Sequence, residues 1–62
     1  MIESRMEEAL NAQINEELFS AYLYLAMAGY FHDQGLEGMA RWMELQAKEE
    51  LEHALRIFRH LV

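Results

Sequence analysis

Glu50 and His53 stand three residues apart inside a helical pattern, a spacing that points a carboxylate and an imidazole from one helix face. Met39, Met43, Ala47, Ala54, Ile57 and Leu61 recur around them at the spacing of a core-facing stripe, with Glu50 near its middle and His53 on its flank. A second carboxylate is placed in the same way earlier in the chain. Leu10, Ile14, Leu18, Ala21, Leu25 and Ala28 define an apolar face, and Glu17 and Tyr24 lie within it while Glu16 points away. Burying an ionised carboxylate without a partner is expensive, so an inward Glu is protonated, paired with a cation or bound to a metal ion. Two of them beside an imidazole shift the balance toward metal, and an oxygen-rich site with one nitrogen suits iron, manganese or zinc.

The elements that must position these side chains are marked by capping and turn residues. Ser4 and Glu7 form an S-x-x-E capping box, which starts a helix near residue 5. The chain has no Pro, and its first Gly is Gly29, so nothing stops that helix before Gly35, a residue suited to a left-handed C-terminal cap. The spacing predicts helix 1 over about 5–32, a turn over 33–37, and helix 2 over about 38–61, with Arg56 and Arg59 near the negative end of the second macrodipole. The fold class expected is all-α, one antiparallel two-helix hairpin spanning 1–62. Axial height then decides whether the candidate ligands can meet. Glu17 precedes His32 by 15 residues, roughly 23 Å, while Glu50 and His53 follow Glu37 by 13 and 16 residues, roughly 20 and 24 Å. Antiparallel packing brings the three to one level.

Composition limits what such a hairpin can do alone. A chain of 62 residues, 53% hydrophobic, buries only about 60% of its unfolded surface and needs a staple. With no Cys, disulfides and thiolate metal sites are excluded, which leaves oligomerisation or a metal held by oxygen and nitrogen, and suits a reducing compartment. A net charge of -6 without a basic cluster argues against a nucleic-acid or anionic-membrane partner. The N-terminal residues show no apolar signal core, so the cytoplasm is the expected location. From Leu18 to Phe31, helix 1 is apolar nearly all round. That stretch is too short and too tyrosine-rich to span a membrane, so Phe19, Leu23, Met27 and Tyr30 are expected at a second buried interface and assembly is expected to go beyond a dimer. Two helices cannot enclose the inward face, since each needs neighbours on both sides of its stripe. A second copy, related by a two-fold axis at the site, completes a four-helix bundle in which the ligands become two Glu17, two Glu50 and two His53.

The segments carrying these residues also resemble a known family. Leu10-Asn11-Ala12-Gln13-Ile14-Asn15-Glu16-Glu17-Leu18-Phe19-Ser20-Ala21-Tyr22-Leu23-Tyr24-Leu25 is similar to the first helix of non-haem ferritins, and Trp42-Met43-Glu44-Leu45-Gln46-Ala47-Lys48-Glu49-Glu50-Leu51-Glu52-His53-Ala54 to the second. The pooled set, one Glu from each of two helices and Glu-x-x-His from each of two others, is the one characteristic of ferritin-like di-metal carboxylate bundles. The resemblance implies that Glu17, Glu50 and His53 are ligands of a di-iron ferroxidase centre that oxidises Fe(II) to Fe(III) for storage or detoxification. It further implies that Glu50 bridges both irons, that Tyr24 stands beside it outside the ligand set, and that Glu49 is a candidate for an accessory iron position. Zinc or manganese can substitute. Bacterioferritins carry a haem-ligating Met where this chain has Leu51, so no haem is expected. Ferritin chains have two further helices and a short fifth, so this sequence corresponds to half of the bundle and the homodimer stands in for the rest. The same ligands allow a metal-binding or peroxide-reducing bundle without storage, and a third reading is a structural ferritin fragment or engineered assembly module. Gln46, one turn before Glu50, can hydrogen-bond its free oxygen or serve as a plain surface amide. Trp42, Met39 and Met43 are expected in the core, and His32 and His60 in solvent.

Overall fold

With nothing in the sequence to interrupt it, the first helix runs unbroken in the computed structural model, which describes residues 4–61. Helix α1 spans Ser4–Asp33 and helix α2 spans Glu37–Leu61. Both ends of α1 and the start of α2 reach one residue beyond the expected bounds, so only residues 34–36 connect them. Ser4, expected as the cap of α1, is its first residue; residues 1–3, Val62 and the side chain of Leu61, with its place in the stripe, lie outside the described residues.

The turn closes the first helix and opens the second within a few residues. Gly35 takes φ 75°, the left-handed conformation that side chains with a Cβ rarely adopt. The N–H of Leu36 then donates to the carbonyl of Phe31 at 2.8 Å and that of Gly35 to the carbonyl of His32 at 3.1 Å, the paired bonds of a Schellman cap. Leu36 also starts α2, its carbonyl accepting from Ala40 N–H at 3.0 Å. Next to this turn His32 is exposed, as expected, but its ring is held by two carboxylates. Its Nδ1 lies 3.0 Å from Glu37 Oε2 and its Nε2 lies 2.7 Å from Glu44 Oε1, so the side chain ties the end of α1 to the first turns of α2.

Between the helices the buried residues are all alanines, Ala21 and Ala28 on α1 and Ala40, Ala47 and Ala54 on α2. They repeat every seventh residue, the period that keeps one seam facing a partner as two helices wind around each other. Small side chains let the backbones approach closely, which pushes the larger apolar residues off the seam. The expected stripes are therefore split. Their alanines make the contact, whereas Leu18, Leu25 and Met39 stay exposed in the hairpin, and Trp42, expected in the core, is exposed as well. Successive residues differ by about 100° around a helix, so Glu17 and Leu18, like Glu50 and Leu51, flank the seam on opposite sides. One lateral face carries Glu17, Glu50 and His53; the other is an apolar groove lined by Ile14, Leu18, Leu51, Leu55 and Phe58. Phe19 and Tyr30 are 62% and 61% exposed. Among the described residues no large side chain is fully buried, and no helix is long and apolar enough to cross a membrane. The pair measures 48 × 14 × 10 Å, a single layer of helices that lacks the second layer a helical domain needs to close its core.

Candidate metal centre

Near the middle of α1, Gln13 and Glu17 sit one turn apart on the same face, and the Gln13 amide donates from Nε2 to Glu17 Oε1 at 2.9 Å. The carboxylate is thereby held by one oxygen. Its other oxygen, Oε2, is buried and has no hydrogen-bond partner. Across the seam, α2 presents His53 with Nδ1 at 3.4 Å from that Oε2 and 3.8 Å from Glu50 Oε2. Glu17, Glu50 and His53 each bring one ligand-capable atom to within 4.8 Å of the others. The two carboxylates are only 16% and 22% exposed.

An ionised carboxylate oxygen left unpaired away from water is costly, so the arrangement calls for either a proton or a cation. The electrostatics show how the empty site divides its charge. Glu50 is pushed above the usual carboxylate range by sharing a hydrogen bond with Glu17, by desolvation, and by the Glu17 charge. Glu17 is pulled below that range by the same Glu50 hydrogen bond, then by the Gln13 amide, with His53 adding to the effect. The two shifts run in opposite directions because the pair can share a hydrogen bond only when Glu50 carries a proton. Two carboxylate oxygens with an imidazole nitrogen make a donor set of the kind that suits iron, manganese or zinc. Three ligands from one hairpin leave coordination positions open.

Other residues marked in the sequence fall differently. Tyr24 is half-buried on α1, about two turns or roughly 10 Å along the axis from Glu17, and no hydrogen bond joins it to Glu50. Glu49 is exposed, and acts on Glu50 through its charge, which adds to the upward push. Gln46 is half-buried without a hydrogen bond to Glu50. The amide that does engage the site is Gln13, which the sequence reading did not single out. Gln13 precedes Glu17 by four residues just as Gln46 precedes Glu50, so spacing alone does not tell the two amides apart.

Comparison with known proteins bears on the fold and the family. A family model described as a ferritin-like domain matches residues 7–62. The chain is 39% identical over 62 residues to a bacterial non-heme ferritin of Bacteroides fragilis (strain 638R), covering all of this chain and 39% of that protein. It is 41% identical over 61 residues to a bacterial non-heme ferritin of Staphylococcus aureus (strain USA300), covering 98% of this chain and 37% of that one. Among solved structures, the open pore ferritin from Archaeoglobus fulgidus superposes with a TM-score of 0.92 at 53% identity over 97% of this chain and 37% of its own. An engineered closed form of that ferritin gives a TM-score of 0.94 at 52% identity over 98% and 37%. The chain thus spans less than two-fifths of the length of these relatives. A match of fold, sequence and family model over nearly the whole chain leads to one assignment: this chain belongs to the ferritin-like domain family.

Proposed function

We propose that the hairpin handles iron as half of a ferritin-like bundle, in which two copies pair across the face carrying Glu17, Glu50 and His53 and bind two irons at their shared centre. Fe(II) is the substrate, oxidised to Fe(III) for storage or detoxification, with dioxygen or peroxide taking the electrons. The observation that carries this reading is the convergence of the three ligand-capable side chains within 4.8 Å, together with the buried, unpartnered Oε2 of Glu17. Metal competes with protons for the carboxylates and the imidazole, so uptake weakens as pH falls. Carboxylates stabilise Fe(III) more than Fe(II), which favours oxidation once both irons are held, and the open positions admit the oxidant. Glu50 is the bridging carboxylate in this reading and Glu17 the terminal one. Zinc or manganese competes for the same ligands, and Leu51 supplies no thioether for haem.

Self-pairing is supported by the single-layered hairpin and by its unfilled lateral faces. Higher assembly is supported by Phe19 and Tyr30, more than half exposed on the far side of α1. The 37–39% share of the relatives' length favours a second way to complete the same half-site, through a further helix pair that supplies the remaining ligands. The activity is tested by adding Fe(II) to the anaerobic protein, admitting air and following Fe(III) absorbance. Oxidation faster than in buffer, lost in Glu50→Ala and Glu17→Ala, supports the proposal. Oxidation at the buffer rate, or unchanged in both variants, removes it.

A further inference from the structure

The two carboxylates of the centre are held unequally, and the inequality has a specific source. Glu17 Oε1 is occupied by the Gln13 amide at 2.9 Å, and its Oε2 is left buried, unpartnered and 3.4 Å from His53 Nδ1. Glu50 has no amide partner on its own helix, because Gln46 stands in the corresponding position without hydrogen-bonding to it. We infer that Gln13 is a positioning residue for the centre, fixing the Glu17 carboxylate through Oε1 so that Oε2 alone is offered to metal, while Glu50 stays free to turn between two ions. This inference rests on the proposed metal centre.

The chemistry follows from the donor. An amide N–H given to one oxygen favours the ionised carboxylate and costs that oxygen much of its capacity to chelate, so Glu17 binds through a single oxygen in a fixed direction. Gln13 itself is exposed and takes no part in the alanine seam, so replacing it leaves the packing of the hairpin intact. Removal of a group that orients a ligand lowers metal affinity by roughly 10- to 100-fold in other sites.

The test is a titration of the protein with Co(II), followed by its visible absorption bands, for the wild type, Gln13→Leu, Gln13→Ala and Glu17→Ala. The expected result is that both Gln13 variants keep wild-type helix content, bind Co(II) roughly 10- to 100-fold more weakly, and show shifted bands as Glu17 gains freedom. Wild-type affinity and bands in both Gln13 variants, with binding lost in Glu17→Ala, would overturn the role of Gln13 and leave the centre standing. Weakened binding with unchanged bands and reduced helix content would mark a structural effect and equally overturn it. If the wild type binds no Co(II), or Glu17→Ala binds it normally, the centre falls and the inference with it.

Discussion

Glu17 and Glu50 shift one another's titration because the seam holds them half-buried on the same side at the same height. Glu50 is raised above the usual carboxylate range and Glu17 lowered below it, so as pH falls Glu50 takes up a proton before Glu17 does. A carboxyl whose folded pKa lies above its unfolded value favours the fold at low pH, and that contribution is lost as pH rises through the folded pKa. Glu17, with its depressed pKa, contributes in the opposite direction. The Glu50→Gln variant keeps the shape, removes one like charge and supplies an amide donor toward Glu17 Oε2. We expect it to melt at higher temperature than the wild type when both are metal-free above the carboxylate range, and to lose the rise in melting temperature that Zn(II) gives the wild type. Circular dichroism melts with and without Zn(II) check both; a metal-free variant that melts lower, or one still stabilised by Zn(II), would contradict this account of the pair. At this scale much was legible in the sequence. Inward Glu17 and Glu50 violate the apolar pattern, and a rise of about 1.5 Å per residue puts them and His53 level. Gln13 was not legible, because Gln13 and Gln46 bear the same relation to their glutamates and only side-chain geometry separates them.

Alanine at every seventh position and the His32 clamp set how the two helices meet. Ala47 is buried in the seam three residues before Glu50, so a larger side chain there forces the helices apart beside the centre. Ala47→Leu is expected to destabilise the hairpin by about 1–3 kcal/mol and to weaken Zn(II) binding through the wider gap, read by denaturant unfolding and metal titration. Stability and affinity both equal to wild type would show that the seam does not set the spacing. The clamp acts at the other end of the pair. Only the imidazolium has N–H donors for both Glu44 and Glu37, and those two hydrogen bonds raise His32 above its ordinary value of 6.5. Its contribution is therefore fully present below 6.5, and is lost as pH rises through the raised pKa. His32→Gln should lower the melting temperature most at acid pH, with the difference from wild type closing as pH is raised; a constant difference would rule out titration of His32 as the cause. Helix extents and the Gly35 turn could be read from local rules of capping and glycine placement. The seam and the clamp could not, since large apolar residues dominate a hydropathy stripe and His32 meets Glu44 only after the turn has closed.

On the whole molecule, what one hairpin leaves unfinished defines its partner. Its alanine seam joins two helices but fully buries no large side chain among the described residues, one lateral face gathers Glu17, Glu50 and His53, and the other is an apolar groove. Pairing two copies through the metal face doubles the ligands and covers both carboxylate pairs, and a metal that binds only the paired form stabilises it by mass action, by about 2.7 kcal/mol at 100 times its Kd. Phe19→Glu on the far side of α1 should leave that pair intact and reduce larger assemblies, as read by sedimentation velocity; loss of the pair itself would place Phe19 in the wrong interface. The central claim, a site shared between two copies, is tested most directly by native mass spectrometry of the chain titrated with Zn(II). The account predicts that metal appears on pairs, two ions to each pair, and that pairs accumulate as metal is added. Metal-loaded single chains, or a proportion of pairs indifferent to metal, would contradict it.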